Sequence, residues 1–185
     1  MSDAFIPEDY KQPEDSNYMQ LEEGENKFRF LSKPIMGMEY WRTIGGKRTP
    51  IRKHMGESIP VGELELDKWG NIGRPKHFWA MIVYNYQAQK VQILEVVQKT
   101  IITAFIALIG DSEWGDPREY DISISRKGKE QDTEYQTLPK PIRPLVSSIK
   151  IEFENSAINL EALYESQDPF GEVLNERVDP SEIPF

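Results

Sequence analysis

Residues 27–32, Lys-Phe-Arg-Phe-Leu-Ser, alternate charged and aromatic positions, the two-residue period of a strand with one buried face. Extended chain is expected to run on through residues 35–41. The Gly45-Gly46 and Pro50 signals then predict a loop over 44–50. Residues 56–76 hold Pro60, Gly62, Gly70, Gly73 and Pro75, a second flexible stretch. An apolar run over 77–86 and another over 91–97, joined by Gln87-Ala88-Gln89, predict a hairpin. The period then changes: Ile101, Ile102, Phe105, Ile106, Leu108 and Ile109 form the broad apolar stripe of a helix, which Gly110 stops. Residues 120–126 alternate again, Lys127-Gly128-Lys129 turns, and residues 133–138 return before Pro139, Pro141 and Pro144 break the ladder. Ile149, Ile151 and Phe153 suggest a short strand, and Leu160, Leu163 and Tyr164 a helical turn.

This order of strand, hairpin, helix and hairpin is that of the OB-fold, a five-stranded Greek-key barrel used widely for single strands of nucleic acid. The expectation is a mainly β (α+β) protein, an OB-fold with one helix between strands three and four. It divides the chain into an acidic arm over 1–26, a core domain over 27–154 and an acidic tail over 155–185. No internal repeat is present.

Charge sharpens this division. The net charge of the 185 residues is −9, yet residues 1–26 carry eight acids against Lys11 and residues 151–185 nine against Arg177, so the middle is basic. Within it, residues 27–54 hold eight bases against Glu39 alone, an electrostatic footprint of polyanion binding. Cysteine is absent, which excludes disulfides, thiolate zinc sites and cysteine nucleophiles. Only His54 and His77 are histidines, and no phosphate-binding glycine loop occurs, so no enzyme, metal or cofactor is expected. Asp116, Asp121 and Glu134 could be imagined as a metal-dependent nuclease site, but acids beside turns usually cap and shape them. Neither a secretory signal nor an apolar run long enough to span a bilayer is seen, so the expectation is a cytoplasmic protein with no membrane partner.

Sequence-tolerant binding of a single strand needs cations for phosphates and aromatic faces for bases. Tyr40, Trp41 and Arg42 combine both and run into Lys47, Arg48, Arg52 and Lys53. Trp79, Tyr84 and Tyr86 on the first hairpin, and Arg126, Lys127 and Tyr135 on the second, are further candidates. Each aromatic competes with the needs of a core; Phe78 and Trp79, as neighbours in a strand, must point in opposite directions. Phe28, Phe30, Phe78 and Phe105 are assigned to the core.

The block from Pro75-Lys76-His77-Phe78-Trp79-Ala80 through Trp114-Gly115-Asp116-Pro117 and Tyr120-Asp121-Ile122 to Asp132-Thr133-Glu134-Tyr135 resembles that of phage-type single-stranded DNA-binding proteins. The likeness covers roughly residues 27–145. The ending Asp179-Pro180-Ser181-Glu182-Ile183-Pro184-Phe185 is similar to the acidic tip of bacterial single-stranded DNA-binding proteins, though Pro180 and Ser181 stand where further acids are usual. The resemblance implies an OB-fold that coats single-stranded DNA during phage replication, recombination or repair. It also implies a tip, with Asp179, Glu182, Ile183, Pro184 and Phe185 as docking residues, that recruits replication and recombination proteins. Some relatives hold zinc through Cys and His, which this chain cannot do. Oligomeric state, including self-association on DNA, and a preference for DNA over RNA stay open. The alternative is an acidic DNA-mimic or adaptor that binds DNA-processing enzymes and not DNA itself.

Overall fold

The computed structural model describes residues 16–170. Seven strands, β1 (Gly24–Phe30), β2 (Ile35–Ile44), β3 (Lys47–His54), β4 (Lys76–Asn85), β5 (Lys90–Val96), β6 (Tyr120–Lys127) and β7 (Glu134–Ile142), form one antiparallel sheet. Helix α1 (Lys99–Gly110) follows β5, helix α2 (Ser147–Ser156) follows β7, and a 3-10 turn spans Leu160–Glu165. Pairing runs β3-β2-β4-β1-β6-β7, with β5 on the other edge of β4. The mainly β expectation holds, but the closed five-stranded barrel does not. The sheet has seven strands and is open, since among the described residues no ladder joins β5 to β7.

Two local features create the additional strands. Between β1 and β2 the amides of Leu31 and Ser32 both donate to the Ile82 carbonyl, at 2.9 and 3.3 Å, while the Ser32 hydroxyl accepts from the Ile82 amide. The chain thus steps sideways and both halves pair with one edge of β4. The expected loop over 44–50 is instead a tight hairpin. Gly45 and Gly46 have φ of 59° and 78°, the two consecutive left-handed residues of a two-residue turn whose twist matches the strands it joins. Residues 47–54 return as β3. Gly37 lets β2 fit between β3 and β4, because a Cβ there would lie 2.0 Å from the Lys53 carbonyl oxygen.

The unbroken apolar run of β4 is explained by burial on both faces. Trp79, Met81 and Val83 join Phe28, Phe30, Leu94, Val96, Ile122 and Ile124 beneath Ile101, Ile102 and Phe105 of α1. Phe78, Ala80 and Ile82 join Val91 and Ile93 beneath Ile149, Leu160 and Leu163. The strand expected around residues 149–153 is helix α2; Ile149 and Phe153, four apart, pack inward while Ile151 is exposed, so the helical period was the operative one. Packing begins before residue 27, with Met19 buried and hydrogen-bonded to Ile93 at 2.8 Å, and continues past residue 154. Residues 1–15 of the expected acidic arm and residues 171–185 of the expected tail, including the docking tip, lie outside the described residues.

One buried ion pair crosses the sheet between β1 and β6. Arg29 and Asp121 are 1% and 0% exposed, with Nε donating to Oδ1 at 2.7 Å. The remaining Arg29 donors reach the carbonyls of Arg118 and Arg143, both at 3.1 Å. Asp121 also accepts from the Tyr86 hydroxyl at 2.7 Å and from Arg143. Burial alone would raise its carboxyl, but the hydrogen bonds from Tyr86, Arg29 and Arg143 outweigh it and hold the group below the ordinary range.

Candidate nucleic-acid interface

The β2–β3 hairpin sorts its side chains by register. Directly opposed residues share a face, so Glu39 with Arg52, Trp41 with Pro50 and Thr43 with Arg48 lie on one, and Met38 with Lys53, Tyr40 with Ile51, Arg42 with Thr49 and Ile44 with Lys47 on the other. Trp41 is 44% exposed and the Arg48 guanidinium lies 5.9 Å from its ring centre. Residues 61–65 pack against the hairpin: Glu63 accepts from the Tyr40 hydroxyl and pairs with Arg42 at 3.9 Å, and Glu65 accepts from the Thr43 amide and pairs with Arg48 at 3.5 Å. Burial and the Glu63 hydrogen bond push the Tyr40 phenol up to about 12.

The next turn presents a residue that the sequence reading missed. Leu66 and Ile72 bridge, the Asp67 carboxylate accepts from the amides of Trp69 and Asn71 at 2.9 Å each, and Gly70 takes a φ of 81°. Trp69 therefore stands 73% exposed at the turn, with Lys68 Nζ 4.3 Å from its ring centre. Its signal was Lys68-Trp69-Gly70-Asn71, a tryptophan in a Gly- and Pro-rich stretch with Arg74 and Lys76 nearby. The glycines and prolines of that stretch signal flexibility alone.

The hairpin carries five of the predicted set, with Trp41 and Arg48 on one face and Arg42, Lys47 and Lys53 on the other. Three others are withdrawn from the exposed surface of the protein. Tyr40 is buried under Glu63, and Trp79 is buried on the α1 side of β4, its indole N–H donating to His77 Nε2 at 3.1 Å. Arg52 is buried too, its Nε donating to Glu39 at 3.1 Å and its Nη2 to Glu95 at 2.6 Å. Tyr84 and Tyr86 are half-buried and meet edge to face at 5.2 Å; Lys27 Nζ lies 4.7 Å over the Tyr86 ring. Arg126, Lys127 and Tyr135 sit at the other end of the strand order. There Arg126 donates to the Leu21 carbonyl at 2.8 Å, Tyr135 packs against the core and Lys127 is exposed.

Burial raises the Glu39 carboxyl to about 8, aided by its hydrogen bond with Glu95 and opposed by Arg52. The groups facing it are Arg52 from β3 and Glu95 from β5, with Tyr18 of the N-terminal segment coupled to both. Because the folded state holds this proton more tightly than the unfolded chain, its stabilisation is complete below the ordinary carboxylate value and is lost as pH rises toward 8. Asp116, Asp121 and Glu25 are shifted down, so their contributions change only at more acidic pH. Urea unfolding between pH 5 and 8 should therefore show the wild type losing stability relative to Glu39→Gln, by up to about 1.4 kcal/mol per pH unit. Parallel curves for the two proteins would show that Glu39 is ionised throughout.

Among the described residues no group of His, Asp or Glu is arranged to hold a metal ion, and no helix is long and apolar enough to cross a membrane. The geometry defines a mainly β protein carrying an exposed arm of tryptophans and cations. Comparison with curated proteins finds a probable ssDNA-binding protein of Escherichia phage T5, 34% identical over 109 residues. The match covers 55% of this chain and 41% of that protein, so the chain spans about two fifths of its relative's length. No protein-family model and no solved structure matches the chain.

Proposed function

We propose that this chain binds single-stranded DNA, with the β2–β3 arm and the turn at Trp69 as its principal contact surface. The observation that carries the reading is the pair of exposed tryptophans, each with a cation close to its ring. Aromatic faces stack on any base, while Lys47, Arg48 and Lys68 attract phosphates, so the surface suits a sequence-tolerant binder. The phage T5 relative's name supports the same reading. Lys27 and Tyr86, on β1 and after β4, extend the contact candidates, with Arg126 and Lys127 beyond them. The path β5-β4-β1-β6-β7, with α1 between β5 and β6 in the chain, fits an opened OB-type core. The role in this proposal is non-enzymatic: protecting single strands in phage DNA replication, recombination or repair inside the host cytoplasm. The tip at Asp179, Glu182, Ile183, Pro184 and Phe185 would recruit partner proteins.

The test is titration of tryptophan fluorescence with oligo-dT at several salt concentrations, with duplex DNA and RNA of equal length as controls. Quenching that favours the single strand and weakens with salt at a slope of about −0.7 per phosphate contact is expected. No quenching and no binding at low salt would overturn the reading in favour of an acidic adaptor.

A further inference from the structure

Beside Trp41 the face of β2 does not end in solvent. It opens into a cleft of 270 Å³ between the hairpin, β5 and residues 18–20, whose walls include Tyr18, Trp41 and Val97 and whose floor is Glu39, Arg52 and Glu95. Glu39 is 7% and Arg52 8% exposed, so this floor is built into the fold. Both oxygens of Glu95 face Arg52, which lies 3.3 Å from Oε1 through Nε and 2.6 Å from Oε2 through Nη2.

The cleft is poorly suited to a phosphate. Two carboxyl groups surround a single guanidinium whose Nε and Nη2 are already engaged, so an entering anion would meet acceptors. An aromatic wall above a hydrogen-bonding floor instead matches an unstacked base, held by its π-face and read along its edge. Carboxylate oxygens accept from exocyclic amino groups, as in contacts to cytosine N4, and are opposed by the carbonyl oxygens of thymine. Burial raises the Glu39 carboxyl to about 8, which removes negative charge from the floor at neutral pH and lowers the electrostatic cost of bringing a DNA strand past it.

We propose that this cleft is a one-base recognition subsite that takes an amino-bearing base, cytosine above all, in preference to thymine. The inference rests on the proposed binding of single-stranded DNA and adds a base preference to it. A strand lying along Trp41 and Arg48 would place one base over the Trp41 ring and turn it into the cleft, while neighbouring phosphates stay with the exposed cations.

The experiment compares oligo-dT with the same oligonucleotide carrying one central cytosine, by fluorescence titration and direct competition at one salt concentration. The wild type should bind the cytosine-containing strand about 5-fold or more tightly, the lower end of what a good base-edge contact supplies. Glu95→Gln removes the carboxylate but also an ion-pair partner of Arg52, so Val97→Phe, which fills the cleft and leaves its charges intact, serves as the second variant. Both are taken forward only with a wild-type melting transition, and both should bring the affinity ratio of the two strands toward one. Equal affinities in the wild type, or a preference that survives Val97→Phe, would overturn the subsite and leave single-strand binding standing. Failure to bind either strand would overturn both.

Discussion

Asp121→Ala should destabilise the protein by about 3–5 kcal/mol, the usual cost of removing one partner from a buried ion pair. The size follows from what stays behind. Arg29 is 1% exposed and keeps two carbonyl acceptors, but its Nε and its charge lose the only carboxylate within 4 Å among the described residues. The Tyr86 hydroxyl and Arg143 lose an acceptor as well. Asp121→Asn preserves the shape and should recover part of the loss, because the amide oxygen still accepts while the charge does not return. Urea unfolding followed by circular dichroism measures both. The pH profile gives an independent sign. The Asp121 carboxyl is held below its ordinary value, so its contribution is present above that value and is lost as pH falls through the lower, folded one. The alanine variant should lack that component of acid unfolding. A loss under about 0.5 kcal/mol, the range of ordinary surface substitutions, would mean that Arg29 reaches water after the change.

Much of the fold is written in local periods, and those parts were legible. The helix over 98–109 and the hairpins around 87–89 and 127–129 follow from apolar spacing and turn residues close together in the chain, and the structure has them as α1, β4–β5 and β6–β7. What failed depended on partners distant in sequence. Gly45-Gly46 is a hairpin signal as well as a loop signal, and only the pairing of Trp41 with Pro50 and its neighbours decides between them. Ile149, Ile151 and Phe153 fit a period of two as well as of four, and the surface that Ile149 and Phe153 pack against belongs to β4 and β5. The site was legible to the same depth. Counting bases along residues 27–54 located the arm, but it could not separate Arg48 at the surface from Arg52, which two carboxylates hold in the interior. Trp79 is a stacking candidate in the sequence because its neighbour Phe78 is assigned to the core and the two must point in opposite directions, but both faces of β4 are covered. Trp69 was passed over because Gly and Pro mark flexibility without saying which side chain the turn presents.

Replacing Trp41 and Trp69 together by alanine should weaken binding to oligo-dT by about 30-fold or more, since each stacked base contributes about 1–3 kcal/mol and about 1.4 kcal/mol is a factor of ten. Both rings are substantially exposed, so the variant should fold and melt as the wild type does. The diagnostic reading is the salt dependence. Stacking releases no counterions, so the double variant should lose affinity at every salt concentration while the slope against log salt stays the same. Changing Lys47, Arg48 and Lys68 to glutamine should do the reverse, flattening the slope by about 0.7 for each phosphate contact removed. The single variants separate the two rings. They sit on different segments, so their effects should add if each stacks its own base. If Trp69→Ala changes nothing while Trp41→Ala costs about tenfold, the strand runs along β2 and the turn does not touch it. If neither change matters, the contact surface lies elsewhere, with Lys27 and Tyr86 the next pair to remove.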